Sequence, residues 1–294
     1  MIRTLFVVIL LGAMFVGGTP SMAAVFIVEN TQDSGPGSLR TALENANSFS
    51  DNDEIIFALA LSDSIIRPVT ALPPITAPLS MALAVMANNE RTRVTLSGEF
   101  AGDVDGLEVR ASDVSISSLV IVNFQRSGIV ISGAIASVTV EDCLIGTNGV
   151  ECQPNAHHGI VLASGVSKTI IGGVFGNVIS GNGFDGVRIL GPGTFGNQVS
   201  GNYIGLDEQG ANPIGNGWRA QQQLPAWATR APDGLCNPEL LDDPTEDREG
   251  VGVVDGTLGG GGVLVANGAT ENFIGDQSER TGNVIAGNLA YGIK

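Results

Sequence analysis

The chain has 294 residues, enough for one large domain or two small ones, and carries a formal charge of −16. Lys and Arg gather on no segment, which argues against nucleic acid and anionic lipid as partners. Its 41 glycines, about twice the usual share, point to many tight turns between short apolar strands.

Residues 1–23 read as a secretory signal peptide: Arg3, an apolar run from Leu5 to Val16, then Ser21-Met22-Ala23 as a small-x-small cleavage site. The run falls short of the ~20 apolar residues that a bilayer span needs, and Gly17-Gly18-Thr19-Pro20 breaks it. With no Cys at the cleavage point, a lipid anchor has no attachment residue. Cleavage removes one base and no acid, taking the charge to −17. No later stretch is long and apolar enough to span a membrane.

In the next segment Ser38 can cap a short helix with Leu39, Ala42, Leu43 and Ala46 on one face. "DEIIFALA" and "PVTALPPIT" then supply strands limited by prolines. Residues 24–93 are expected to cap the first coils of a solenoid, since an open solenoid end exposes unpaired backbone and core.

From residue 94 onward the sequence repeats. Units begin at a glycine followed by alternating aliphatics: Gly106, Gly128, Gly159, Gly186, Gly262 and Gly292, at spacings of 22, 31, 27, 76 and 30. Each complete unit carries two further short Val- and Ile-rich strands, separated by Gly and Asn. No helical stretch lies between them to serve as a crossover. The chain is therefore predicted to coil on itself as an all-β right-handed parallel β-helix, with Ile129/Ile131, Ile160/Leu162, Val187/Ile189 and Val263/Val265 stacked inward. "NVISGN", "NQVSGN" and "NVIAGN" end on Asn182, Asn202 and Asn288. These asparagines are read as turn residues that tolerate a left-handed backbone and whose amides can bond along a column.

"GNVISGNGFDGVRI", "GNQVSGNYIGLDEQGANPIGNG" and "GNVIAGNLAYGI" resemble the rungs of bacterial exported β-helix repeat proteins within the pectate-lyase-like group. "VENTQDSGPGSLRTALENAN" is similar to their leading segment, with its [CG]SLREA-like motif. The resemblance covers most of residues 25–294 and is specific for fold rather than activity. It implies a protein secreted by, or held on the surface of, a bacterium. The stop at Lys294, three residues into a new rung, is read as truncation.

Enzymes of this fold class act on acidic polysaccharides through carboxylates, Arg or Lys, and often calcium. The Asn-x-Asp, Asp-Asp, Gly-His-Gly and Arg-x-Lys set of polygalacturonase-like hydrolases does not assemble here. His157-His158-Gly159 echoes one member, Arg188 lacks its Lys, and Asp242-Asp243 lies off the rung grid. Candidate catalytic residues are Asp185, Arg188, His157 and His158, against the plainer reading of solvated turn residues. No cofactor is expected. Calcium stays open, although "GDVDG" lacks the remaining EF-hand ligands and no His/Cys spacing suggests a structural metal.

The 76-residue spacing holds an insertion at about 217–260, with Trp218 and Trp227, Cys236 and the acids Glu239, Asp242, Asp243, Glu246, Asp247 and Glu249 among others. Long loops on rigid scaffolds carry function, so the two Trp are the candidate ligand-binding residues, suited to stacking on sugar rings. Cys143 and Cys152 are the candidate disulfide, given an oxidising compartment. The leading expectation is a non-catalytic glycan-binding or adhesin-like surface meeting extracellular polysaccharide or cell-surface glycan. The alternatives are a polysaccharide lyase or glycoside hydrolase, and a structural spacer. Oligomeric state is not legible.

Overall fold

The computed structural model describes residues 23–84, 92–217, 261–275, 282–286, 288 and 292–294. Short strands alternate buried and partly exposed residues, as in Ile129–Ser132 and Ile160–Ala163. A strand this short cannot bury its apolar face alone, so each lies against the strand one coil away. The result is a right-handed parallel β-helix with three parallel sheets.

The first sheet has eight described strands, from Val25–Val28 to Phe273–Ile274. The second has seven, from Ile65–Ile66 to Val284–Ile285, and the third has five, from Leu107–Val109 to Val263–Ala266. From Leu79–Leu83 onward the described strands visit the three sheets in fixed order, as in Val114–Ser117, Leu119–Val122 and Ile129–Ser132, before starting the next coil.

Inward side chains form continuous columns. In the first sheet Ile55, Met81, Ile116, Val140, Ile171, Val199 and Ile274 are successive register partners. In the third, Leu107 pairs with Ile129, Ile129 with Ile160, Ile160 with Val187 and Val187 with Val263. The 76-residue spacing thus leaves the ladder in register. Burying each such aliphatic contributes about 1.5–3 kcal/mol relative to exposure.

The glycines that open each unit form a column of their own, for a reason that composition does not reveal. A Cβ on Gly159 would stand 2.6 Å from the carbonyl oxygen of Gly186, and one on Gly262 would stand 2.6 Å from that of Gly292. Leu107, Ile129, Ile160, Val187 and Val263 each donate a backbone N–H to the column glycine of the next coil. Close coil-to-coil approach, and not a left-handed φ, requires glycine there.

Asparagine amides make a second kind of column. Nδ2 of Asn155 donates to Oδ1 of Asn182 at 3.1 Å, Asn182 to Asn216 at 2.9 Å, and Asn216 to Asn288 at 2.9 Å. A separate ladder runs from Asn177 to Asn202 to Asn283 at 3.0 Å per step, and Asn197 donates to Asn272 at 2.9 Å. Each also reaches backbone: Asn182 Nδ2 donates to Ile145 O, and Asn202 Nδ2 to Ile171 O. The left-handed reading of Asn182 and Asn202 is corrected; that of Asn288 turns on residue 287, which lies outside the described residues. The positive φ falls on Gly181 (75°) and Gly201 (74°), and neither Asn182 nor Asn202 is among the positive-φ residues. Glycine takes the strained torsion, which leaves asparagine free to serve as an amide bridge.

The helix α1, Leu39–Ala46, buries Leu39, Ala42, Leu43 and Ala46 against the first strands, and Ser38 caps it by accepting from Thr41 N. Arg40 ties the preceding loop, through Asp33 Oδ1 at 2.8 Å, to the later segment, through Ala71 O at 2.6 Å. Burial raises the Asp33 pKa, but Arg40 and the Val69 amide outweigh it and hold the carboxyl below its usual range. Among the described residues no helix is long and apolar enough to cross a membrane.

The expected Cys143–Cys152 disulfide is not formed. Cys143 is free and fully buried, its Sγ turned inward 3.2 Å from Glu141 O. Cys152 sits in an antiparallel bridge with Thr147 on an outer loop and is itself disulfide-bonded. The spacing of nine takes the chain from the fully buried Cys143 to the partly buried loop position of Cys152.

Candidate functional site

Aligning the coils on the column glycine shows where the candidate residues lie. Asp105, Ser127, His158, Asp185 and Gly261 each precede a column glycine, at the corner leading into the third sheet. At three of these positions the side chain reaches the backbone amide of the same position one coil on. Asp105 Oδ1 accepts from Ser127 N at 2.8 Å, His158 Nδ1 from Asp185 N at 3.1 Å, and Asp185 Oδ1 from Gly261 N at 3.2 Å.

The structure therefore brings three of the four catalytic candidates together. Asp185 is fully buried; its Oδ2 lies 3.4 Å from both His158 Nδ1 and Arg188 Nη1. Arg188 Nη1 stands 3.3 Å from His158 Nε2. His157 lies beside the cluster, its ring 5.6 Å from that of Phe184 and 6.5 Å from that of His158, while the His158 ring is 5.5 Å from Phe184.

The shorter of the Nδ1 contacts favours one tautomer of His158. Burial is the largest influence on it and outweighs the attraction of Asp185, holding the imidazole below its usual pKa. A neutral ring with Nδ1 unprotonated accepts the Asp185 N–H, the shorter of the two Nδ1 contacts, and carries its proton on Nε2. In that tautomer the 3.3 Å approach of Arg188 Nη1 to Nε2 is not a hydrogen bond, and Arg188 Nη1 pairs with Asp185 Oδ2 at 3.4 Å. The buried Asp185 carboxylate meets the Arg188 guanidinium at Oδ2 and the Gly261 N–H at Oδ1. Inverting hydrolysis would need a second carboxylate placed across the same groove.

Another charged cluster was not read from the sequence. Arg93, 8% exposed, donates to Asp142 Oδ1 at 2.9 Å and to Glu208 Oε1 at 2.8 Å, and Ser118 Oγ donates to Asp142 Oδ2 at 3.2 Å. Burial acts to lower the Arg93 pKa, but Asp142 and Glu208 more than offset it and raise it. Glu208 is carried by a loop whose Asp207 accepts from Ala211 N and Asn212 Nδ2. Because 115 residues separate Arg93 from Glu208, no local pattern joins them. The corner column, by contrast, could have been found by reading the residue before each repeat glycine.

Trp218 and Trp227, and the insertion that carries them, lie outside the described residues, as do residues 1–22. Among the described residues no group of three or more His, Cys, Asp or Glu side chains could hold a metal ion. No known family model matches the chain, and no curated protein matches it.

Proposed function

We propose that this chain is exported by a bacterium and works as a secreted or cell-surface protein of the pectate-lyase-like β-helix type, offering a rigid, non-catalytic surface to extracellular polysaccharide or cell-surface glycan. One observation carries the non-catalytic part: His158 Nδ1 is spent on the Asp185 amide at 3.1 Å, just as Asp105 and Asp185 spend an oxygen on the amide of their next coil. A group whose proton-accepting nitrogen bonds backbone is a poor general base. The stacked coils supply length and rigidity, which suit repeated weak contacts along a polymer.

A polysaccharide lyase or glycoside hydrolase is the second reading, favoured by the convergence of His158, Asp185 and Arg188 from adjacent coils. Purified residues 24–294 would be passed over acidic and neutral polysaccharides, with and without calcium, scoring retention of protein and release of new chain ends. Retention without release, lost when Trp218 and Trp227 become Ala, supports the binding surface. Release that disappears in Arg188→Lys or His158→Gln would replace it with the enzymatic reading.

A further inference from the structure

Asp53 opens the second strand of the first sheet and is 1% exposed. Its Oδ1 accepts the backbone N–H of Ala24 at 2.8 Å, while its Oδ2 is buried with no hydrogen-bond partner among the described residues. A buried carboxylate oxygen left unpaired is costly, and native proteins keep few of them. An amide nitrogen has one hydrogen and can satisfy only one of the two oxygens.

Ala24 is also where the fold begins to grip the chain. Its carbonyl accepts from Glu54 N at 2.8 Å, and from Val25 onward the strand pairs residue by residue with Glu54–Phe57. Ala23, one residue earlier, is exposed. The same bond, Ala23–Ala24, is where Ser21-Met22-Ala23 places the cleavage site.

We propose that Asp53 is the receptor for the α-ammonium group of Ala24 created when the leader is removed. An exporting peptidase hydrolyses the Ala23–Ala24 peptide bond: water gives its OH to the Ala23 carbonyl carbon, the C–N bond breaks, and the nitrogen takes up protons to become an ammonium. That group carries three hydrogens and a positive charge. It can donate to Oδ1 and Oδ2 together, converting a half-satisfied buried carboxylate into a charge-assisted pair. Cleavage thereby locks the first strand onto the second, and the precursor is the less stable form. This rests on the export reading for the natural enzyme that makes the cut, but not for the pairing itself.

Two arms test it separately. In an exporting bacterial host the full chain is expressed and the N-terminus of the product sequenced; Ala24 is expected, and a different first residue overturns the position. In the second arm, chains beginning at Ala24 are produced by tag removal, and compared with the same chain acetylated at its α-amine or extended by one residue. The free amine is expected to favour folding by roughly tenfold or more, the scale of one charge-assisted hydrogen bond. Asp53→Asn should abolish the difference between free and blocked chains. Near neutral pH, where the carboxylate is ionised and pH lies below the ordinary α-amino pKa of ~8, the advantage should be complete, and it should disappear as pH rises through the higher α-amino value of the folded form. Equal stability of free and blocked chains with Asp53 intact overturns the pairing, whatever the host arm shows.

Discussion

Asn182 donates from Nδ2 to Oδ1 of Asn216, 2.9 Å away in the next coil and 34 residues along the chain. The same Nδ2 donates to Ile145 O at 3.0 Å, and Oδ1 accepts from Asn155 at 3.1 Å. Two donors are thus aimed at two acceptors in a site with no solvent exposure. An amide meets that demand, and its carboxylate isostere does not.

Asn182→Asp is therefore expected to destabilise the coils more than Asn182→Ala. The aspartate places an oxygen against Ile145 O and Asn216 Oδ1, with an unpaired buried charge costing about 3–5 kcal/mol. Alanine removes the bonds and leaves their partners unsatisfied, at about 1–3 kcal/mol. Urea denaturation at neutral pH gives the order. An aspartate variant as stable as the alanine variant would mean that the ladder is not the source of the stability.

Gly159→Ala tests the glycine column. Its Cβ would meet Gly186 O at 2.6 Å and Ile179 Cγ2 at 2.6 Å, and the oxygen belongs to a carbonyl already bonded to Ile160 N. The coils must separate locally, at about 1–3 kcal/mol or more. Gly282→Ala is the control, because among the described residues a Cβ there meets nothing within 4 Å; it should fall within roughly ±0.5 kcal/mol of the parent. Thermal unfolding of the two variants side by side reads the difference.

Much of the fold was legible because a parallel coil writes its register into the sequence. The spacings of 22, 31, 27 and 76 between Gly106, Gly128, Gly159, Gly186 and Gly262 are the register of the third sheet. The reason for glycine was not legible, since one letter serves both a positive φ, as at Gly181, and a close approach, as at Gly159. At the candidate site, Asp185, Arg188 and His158 were visible as residue types, but their use was not. Whether a His near an Asp does chemistry or holds a backbone amide depends on a distance of 3.1 Å that sequence does not carry.

Cys143 is expected to resist alkylation in the native protein. Burial pushes its thiol pKa up to about 12, so almost no thiolate is present at neutral pH, and the sulfur has no solvent exposure. Iodoacetamide followed by peptide mass mapping, without reductant, should find Cys143 unmodified when folded and alkylated after denaturation. Rapid native alkylation would show that the inward-facing placement is wrong.

His158 predicts a pH dependence with a definite sign. Its folded pKa lies below the ordinary imidazole value of 6.5 because burial disfavours the cation. Between those two pH values the unfolded chain binds the proton and the folded chain does not, so stability rises with pH there. The contribution is complete above pH ~6.5 and is lost as pH falls from that point towards the folded pKa, at a slope of at most about 1.4 kcal/mol per pH unit. His158→Gln cannot be protonated and should flatten this part of the curve, whereas His157→Gln should leave it in place. Denaturation midpoints measured at descending pH give the slopes, and nitrogen chemical shifts of the ring show whether Nε2 carries the proton. A ring protonated on Nδ1 at neutral pH would make it a donor to Asp185 Oδ2, remove it from the corner column, and return His158 to the groups able to move a proton.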